Sequence, residues 1–221
     1  MTHPRSDTSA LILAGGLARR MGGGDKGLRH LGGATLLDRV VAAVRPQVST
    51  LILNANGDTA RFADLDLPVV VDTVPGFAGP LAGVLAGLEW LAARPPGRAW
   101  LLTVPSDTPF LPADLARRLY DGAVREGAEI ACAASAGQVH PVVALWPVSL
   151  AGTLRRILVD EGERRLQSVL ARFRVATVEF PATPVDPFFN ANTPEDLAEA
   201  ERLLRGKPRD RQEGATRAGT G

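Results

Sequence analysis

Short apolar runs alternate with amphipathic stretches along the first half of the chain. Runs with the length of buried β-strands lie at 10–14, 50–55, 68–72 and 99–107. Stretches with the apolar spacing of helices lie at 35–47, 79–93 and 112–127, and Pro112 suits the first turn of the third. Strands that alternate with helices in this way predict a mostly parallel sheet with right-handed crossovers.

The second half of the chain departs from this alternation. Apolar runs at 129–135 and 139–148 flank Ala136-Gly137-Gln138, which predicts a hairpin and therefore an antiparallel excursion of the sheet. The elements predicted after it are a helix at 150–158, a strand at 174–181 and a last helix at 193–204.

The ends of the folded region can also be read from the sequence. Thr35 with Asp38, and Thr193 with Asp196, have the spacing of capping boxes at helix starts. No large aliphatic side chain follows Leu204, so the remaining residues cannot bury a core. We therefore predict a flexible N-terminus over 1–9, a single α/β domain over 10–204 and a disordered tail over 205–221.

Composition narrows the class of protein. The formal net charge of +1 gives no global reason to bind nucleic acid or a membrane surface. No apolar run reaches membrane-spanning length, and the polar first ten residues lack the apolar core of a signal peptide, so we expect a cytoplasmic protein.

Cys132 is the one cysteine, which excludes an intramolecular disulfide. Its apolar surroundings favour a buried hydrophobe over a reactive thiol.

Candidate chemistry gathers at the predicted strand ends. The first strand runs into a glycine-rich loop, and the next three end at Asn54, Asp72 and Asp107. Each of these side chains alone is explained by a helix cap or a turn. Because ligands of open parallel sheets bind at the carboxyl ends of the strands, their convergence on one edge favours a site.

The glycine-rich loop has the composition of a polyphosphate-binding loop. Gly15 and Gly16 permit close backbone approach, and Arg19, Arg20 and Lys26 add positive charge. The loop is not a Walker A motif, and its match to G-x-G-x-x-G at 22–27 begins too far past the strand for a dinucleotide fold. A magnesium ion bridging the Asp107 carboxylate and substrate phosphates would complete such a site.

Several motifs in collinear order carry a family resemblance over about residues 10–204. They are LILAGGLARRMGGGDKGL at 11–28, NAN at 54–56, GPLAG at 79–83, PSDTPFLPADLARRL at 105–119, HPVVALW at 140–146, GERR at 162–165 and FFNANTPEDL at 188–197. The first of them resembles the signature loop of nucleotidyltransferases with a Rossmann-like fold. The complete set resembles the molybdenum cofactor guanylyltransferases.

This resemblance implies a three-layer Rossmann-like nucleotidyltransferase fold and a reaction. The family uses GTP and Mg²⁺ to attach GMP to molybdenum-loaded molybdopterin, and it releases pyrophosphate. Its GTP contacts fall here on Leu13, Ala14, Gly15, Lys26, Asn54, Asp72 and Asp107, with Mg²⁺ on Asp107. Its molybdopterin contacts fall on Gly83, Arg164 or Arg165, and Asn190 with Asn192. The 190–192 segment lacks the second metal-binding Asp of sugar-activating relatives, which argues against a two-carboxylate metal site.

The expected mechanism is charge neutralisation around a phosphate nucleophile that is already anionic. We expect Lys26 to counter the charge on the α-phosphate, Arg20 (with Arg19) to hold the leaving pyrophosphate, and Asp107 to hold the metal. No strong general base is needed, and we interpret His30 and His140 as structural or peripheral. We expect a monomer or weak oligomer that binds no nucleic acid and makes transient contacts with molybdenum-insertion proteins and molybdoenzyme chaperones.

Two other functions remain open from the sequence. One is a related nucleotidyltransferase that uses CTP or another nucleotide on a pterin, sugar phosphate or polyol phosphate. The other is a nucleotide-binding adaptor without catalysis, against which Lys26 and Asp107 argue. The guanine preference follows from the resemblance alone.

Overall fold

A seven-stranded sheet forms the centre of the computed structural model, which describes residues 7–14, 25–76, 79–94 and 99–206. Its strands are β1 (Thr8–Leu13), β4 (Thr50–Asn54), β5 (Val69–Val70), β6 (Trp100–Pro105), β7 (Ile130–Ser135), β8 (Gln138–Pro147) and β9 (Val175–Phe180). A small separate ribbon pairs β2 (His30–Leu31) with β3 (Ala34–Thr35). The helices are α1 (Leu36–Val44), α2 (Pro80–Ala92), α3 (Leu115–Glu126), α4 (Ala151–Val159), α5 (Leu166–Leu170) and α6 (Pro194–Gly206).

The strand order β5-β4-β1-β6-β8-β7-β9 brings most carboxyl ends to one edge. β1 pairs in parallel with β4 and β6, and β4 pairs in parallel with β5. β8 is antiparallel to both β6 and β7, while β9 is parallel to β7. Six strands of this sheet therefore point the same way. The predicted mostly parallel sheet with an antiparallel excursion is confirmed.

Two layers of helices cover the sheet and make the predicted three layers. Ile12 points into a core that includes Leu37 and Leu119, from α1 and α3. Its neighbour Leu11 points into a second core that includes Leu85 and Ile157, from α2 and α4. Because successive side chains of a strand face opposite sides, both faces of β1 are buried, which explains its uninterrupted apolar sequence.

Three predicted boundaries are wrong. β1 begins at Thr8, and Thr8 and Ser9 are buried, so both belong to the domain and not to the N-terminal segment predicted over 1–9. The other two boundaries are wrong for reasons that lie outside the local sequence. β5 ends at Val70 because the backbone N–H of Asp72 donates to Asn56 Oδ1 at 2.9 Å and not to a neighbouring strand. α3 begins at Leu115, so Pro112 precedes the helix. The side chain of Gln47, distant in sequence, accepts from Ala116 N at 3.0 Å and closes that helix start.

Other local predictions are confirmed. Both capping boxes form: Asp38 N donates to Thr35 Oγ1 at 3.0 Å, and Asp196 N donates to Thr193 Oγ1 at 3.1 Å. The hairpin turn is Ala136-Gly137, and Gln138 already begins β8. The short helix α5 was not predicted. No helix among the described residues combines the length and apolarity needed to cross a membrane.

Candidate functional site

A cleft of about 950 Å³ opens at the edge where the parallel strands end. Its size suits a nucleotide, since small-molecule sites are typically about 300–1,000 Å³. Its polar or charged lining residues are Asp25, Lys26, Asn54, Asn56, Arg61, Asp72, Ser106 and Asp107. Leu13 and Ala14 also line it. The three strand-end side chains predicted to converge, Asn54, Asp72 and Asp107, therefore share one cavity with Lys26.

The glycine-rich loop lies only partly within the described residues. β1 ends at Leu13, whose carbonyl accepts from Ser106 N at 3.2 Å, and Ala14 N donates to Asn54 O at 2.9 Å. These bonds fix the backbone on which the loop begins. The predictions for Gly15, Gly16, Arg19 and Arg20 fall outside the described residues.

Lys26 lies at one side of the cleft, beside two oxygen acceptors. Its Nζ donates to Asn192 Oδ1 at 2.6 Å and is 3.7 Å from Asp107 Oδ2. Only 14% of the Asp107 side chain is exposed, against 27% for Lys26. Burial raises the pKa of the Asp107 carboxyl, and the neighbouring ammonium only partly offsets that increase. The pair therefore places a positive charge beside a carboxylate whose burial disfavours its ionised form.

The segment 190–192 is hydrogen-bonded to Asp107 and to the residue that follows it. Ala191 N donates to Asp107 O at 3.0 Å, and Thr108 Oγ1 donates to Asn190 Oδ1 at 2.6 Å. The structure thus brings Asn192 to Lys26, 166 residues away in sequence. Both asparagines were predicted on the molybdopterin side, and that assignment stays a prediction.

The opposite side of the cleft carries a carboxylate between two amides. Asn54 Nδ2 donates to Asp72 Oδ1 at 3.0 Å and to Val70 O at 3.2 Å. Asn56 Nδ2 donates to Asp72 Oδ2 at 2.8 Å. Asn56 was not predicted as a site residue, although the repeated asparagine in NAN at a strand end was the available signal. These donors fix the Asp72 carboxylate and leave it lone pairs for a ligand.

Two further cleft residues were missed, and they form an ion pair. Arg61 Nε donates to Asp25 Oδ2, and Arg61 Nη2 donates to Asn56 O at 3.0 Å. Asp25 precedes Lys26, and Arg61 comes from a 3₁₀ turn over Thr59–Leu65. Since the partners are 36 residues apart, no local pattern could have paired them.

The remaining predicted molybdopterin contacts do not line this cleft. Gly83 lies in α2, where an added Cβ would come within 2.3 Å of Asn54 Oδ1 and 2.5 Å of Leu13 Cδ2. Arg164 and Arg165 are exposed just before α5, and their backbone N–H groups both donate to Glu163 Oε1 at 2.8 Å. Gly83 therefore packs beneath Asn54 at the side of the cleft that carries Asp72, and the roles of the two arginines stay predictions.

The positions of the described histidines and acidic residues limit the kinds of catalysis that the cleft can perform. His140 is hydrogen-bonded to the Ser135 hydroxyl at 2.8 Å and packs on Phe188, and burial lowers the pKa of its imidazole. His30 is exposed. Over the described part of the chain, no three His, Cys, Asp or Glu side chains come together as a metal cluster. The site can bind and neutralise phosphates, and Asp107 is the carboxylate beside Lys26.

Comparison with known proteins gives consistent matches. Residues 10–176 match the model of the MobA-like NTP transferase domain. A molybdenum cofactor guanylyltransferase of Rhodopseudomonas palustris (strain BisB5) is 57% identical over 201 residues, covering 91% of this chain and 95% of the relative. One from Bradyrhizobium sp. (strain ORS 278) is 56% identical, covering 90% and 94%. The crystal structure of molybdopterin-guanine dinucleotide biosynthesis protein A from Archaeoglobus fulgidus has a TM-score of 0.71 at 23% identity, covering 90% of this chain and 100% of that one, which supports the fold.

Proposed function

This chain belongs to the MobA-like NTP transferase domain family, and from that membership we propose that it transfers GMP from GTP to molybdenum-loaded molybdopterin. The products are molybdopterin guanine dinucleotide and pyrophosphate. The observation that carries the proposal is the single cleft in which Lys26 and Asp107 face the Asn54–Asp72 pair. We assign the Lys26–Asp107 side of that cleft to the phosphates and the Asn54–Asp72 side to the base, which is the arrangement a nucleoside triphosphate needs.

The reaction is a substitution at the α-phosphorus of GTP. A phosphate oxygen of molybdopterin forms the new P–O bond, and the bond from the α-phosphorus to the bridging oxygen breaks as pyrophosphate leaves. The nucleophile is already ionised, so no side chain has to remove a proton from it. Catalysis then rests on alignment and charge neutralisation, with Lys26 at the α-phosphate and Arg20 at the leaving pyrophosphate.

Mg²⁺ is the metal whose ligand preferences fit Asp107. This ion commonly binds one or two carboxylates together with substrate phosphates and keeps several waters, so it needs no cluster of acidic residues. Asp107 offers one carboxylate, with only 14% of its side chain exposed, on the phosphate side of the cleft. When bound, the ion would supply positive charge and in-line alignment of the phosphates. Lys26, 3.7 Å away, offsets part of the increase in the Asp107 pKa that burial causes.

Asp72 is suited to read guanine. The Watson–Crick edge of guanine presents two adjacent donors, N1–H and N2–H, and an ionised carboxylate offers only acceptors. The edge of cytosine presents one donor beside two acceptors, which would face the same carboxylate unfavourably. Asn54 and Asn56 hold the carboxylate in place and thereby set the preference for GTP over CTP.

The proposal also concerns the binding partners, the cellular location and the oligomeric state of the protein. Both substrates are small anions, and the balanced net charge of +1 favours neither a nucleic acid nor a membrane as partner. We place the reaction in the cytoplasm, in a monomer or weak oligomer. Transient contacts with molybdenum-insertion proteins and molybdoenzyme chaperones would deliver the pterin and receive the product.

The test is incubation of the purified protein with molybdenum-loaded molybdopterin, Mg²⁺ and either GTP or CTP. Mass detection of the dinucleotide should find the guanine product with GTP and far less product with CTP. Preference for CTP would establish the related cytidylyl reaction, and nucleotide binding without pyrophosphate release would establish an adaptor.

Lys26→Ala is the variant that tests the catalytic assignment. Removing one fixed charge that acts on the transition state typically lowers kcat by about 10²–10³-fold, which corresponds to about 2.7–4 kcal/mol. Circular dichroism should show an intact fold, since Lys26 is partly exposed and outside the core. Near-normal turnover would remove Lys26 from the mechanism.

A further inference from the structure

The ion pair of Arg61 with Asp25 links the two sides of the nucleotide cleft. Arg61 uses Nε for the Asp25 carboxylate and Nη2 for the Asn56 carbonyl, at 3.0 Å. Asp25 adjoins Lys26 on the phosphate side, and Asn56 holds Asp72 on the base side. One guanidinium therefore spans the cleft wall from one half of the site to the other.

The carboxylate of Asp25 is reserved for this pair. Asp25 occupies the N-cap position of the 3₁₀ turn Lys26–Leu28, where an aspartate ordinarily accepts hydrogen bonds from the backbone of the turn. Here its side chain makes no capping bond. It is turned towards Arg61 instead, and only 11% of it is exposed. Such a partly buried pair is much less screened by solvent than a surface pair.

Lys26 is consequently held on both sides along the backbone. On its N-terminal side Asp25 is fixed by Arg61. On its C-terminal side Gly27 is packed so closely that an added Cβ would come within 3.0 Å of Ser106 Cβ. The Lys26 ammonium is in turn held by Asn192 and Asp107. The other restraints come from residues of the phosphate side. The Arg61 pair differs from them, because Asp25 is the one phosphate-side residue that it involves.

Arg61 is itself rigidly placed. Its turn is capped by Asp58, whose Oδ1 accepts from Ala60 N at 3.0 Å. The next residue, Phe62, is 2% exposed and belongs to the core. The guanidinium carbon of Arg61 lies 4.5 Å from the centroid of the Phe62 ring, a cation–π distance. Little conformational freedom is left to lose when Arg61 holds Asp25.

We propose that Arg61 is a positioning residue for nucleotidyl transfer, which acts through Asp25 to fix Lys26. It also neutralises the Asp25 carboxylate, which would otherwise repel the incoming triphosphate and attract the Lys26 ammonium. The inference rests on the proposed transfer reaction and on Lys26 as its cation. It assigns a role to two cleft residues that the sequence motifs leave unexplained.

The experiment compares Arg61→Gln, Arg61→Lys, Asp25→Asn and the double variant Asp25→Asn/Arg61→Gln with the wild-type protein. Each is assayed for kcat and for the KM of GTP in the dinucleotide assay, with thermal unfolding as the control for folding. Arg45→Gln is the matched control: Arg45 is an exposed arginine whose Nη2 donates at 3.4 Å to Leu65 O, at the far end of the same 3₁₀ turn.

Arg61→Gln should lower kcat about 10- to 100-fold, since a misplacement of about 1 Å can cost that much, while the KM of GTP changes far less. Arg61→Lys should recover part of the loss because it restores the charge without the second hydrogen bond. The double variant should lose no more than Arg61→Gln, since residues that act as one unit are non-additive. Arg45→Gln should match the wild type.

The outcomes separate this inference from the proposed function. Absence of transfer by the wild-type protein would overturn both. Wild-type transfer with unchanged kcat in Arg61→Gln would overturn only the role of Arg61. Additive losses in the double variant, or a fall in kcat that follows a fall in Tm across all the variants, would assign Arg61 to general stability and also overturn it.

Discussion

Asp107 is the residue at which stability and function oppose each other. Burial raises the pKa of its carboxyl above the ordinary value, and Lys26 offsets only part of that shift. The native protein therefore binds this proton more tightly than the unfolded chain does. The Asp107 carboxyl makes its full contribution to the free energy of unfolding below the ordinary carboxyl pKa. This contribution is lost as pH rises through the raised pKa of the native state.

Asp107→Asn should accordingly stabilise the protein at neutral pH while inactivating it. The amide keeps the shape and an oxygen for Lys26 but removes the buried charge. A gain of about 1 kcal/mol would raise Tm by about 2–4 °C in a domain of this size, and kcat should fall about 10²–10³-fold. Thermal unfolding at about pH 7 and about pH 4 measures the difference, which should shrink in acid as the wild-type carboxyl is protonated. A variant with lower Tm at both values would contradict this account.

Sequence reasoning identified the residues whose position follows from the strand ends. Asn54 is the last residue of β4, and Asp72 and Asp107 each lie two residues past a parallel strand, so chain direction alone brings them to one edge. Asp25 and Arg61 could not be identified in this way. Each is an ordinary charged residue in a connection, and only the folded backbone joins them across 36 positions.

At the scale of the element, α2 shows how a helix supports the site without lining its polar part. Gly83 and Gly87 both face the sheet, one turn apart. An added Cβ at Gly83 would meet Asn54 Oδ1 at 2.3 Å, whereas one at Gly87 would meet Leu11 Cδ2 at 2.7 Å. The first glycine therefore leaves space for the base-side amide, and the second leaves space for the core.

Gly83→Ala and Gly87→Ala form a matched pair on this helix. Overpacking should destabilise each by about 1–3 kcal/mol. Only Gly83→Ala should also raise the KM of GTP, because Asn54 must turn away from Asp72 to admit the methyl group. Urea unfolding gives the stability change, and steady-state kinetics give KM. Gly152→Ala, where no atom lies within 4 Å of the added Cβ, controls for the change of residue type. Equal KM values for Gly83→Ala and Gly87→Ala would contradict a role for Gly83 at the base side.

Element prediction succeeded where the pattern was local and failed where a distant partner decided the outcome. The capping boxes at Thr35 and Thr193 involve residues three apart and form as predicted. The strand that leads to Asp72 stops early because Asn56, from the preceding connection, takes its N–H. The start of α3 is decided by Gln47, whose side chain accepts from the backbone N–H of Ala116, 69 residues away in sequence.

At the scale of the whole molecule, two apolar cores pack on opposite faces of one sheet. Leu11 and Ile12 alternate between these cores, so β1 is buried on both faces and its sequence is continuously apolar. The order of the strands beyond β6 did not follow from the sequence. A hairpin fixes only that β7 and β8 are neighbours, and packing decides that β8 inserts next to β6.

Cys132 can report on unfolding of the sheet because it lies in β7, between β8 and β9, with 1% exposure. Burial raises the pKa of its thiol to about 12, so the reactive thiolate is scarce in the native state. As the chain has no other cysteine, a thiol reagent gives one signal. Native protein should remain unlabelled, and labelling should accelerate with urea in proportion to the unfolded fraction. Rapid stoichiometric labelling in native buffer would contradict the burial.

Nucleotide binding should slow that labelling, because a ligand that binds only the native state lowers the population of open molecules. Mg-GTP at about 100 times its Kd adds about 2.7 kcal/mol and should slow labelling about 100-fold. Mg-CTP at the same concentration should protect far less if Asp72 reads the donor edge of guanine. Asp72→Ala should lose the GTP protection while its labelling without nucleotide stays near that of the wild type, since Asp72 is only half-buried and lies outside the core. Equal protection by both nucleotides would show that the base side of the cleft does not discriminate, and would shift the choice of substrate to the phosphate side and the pterin.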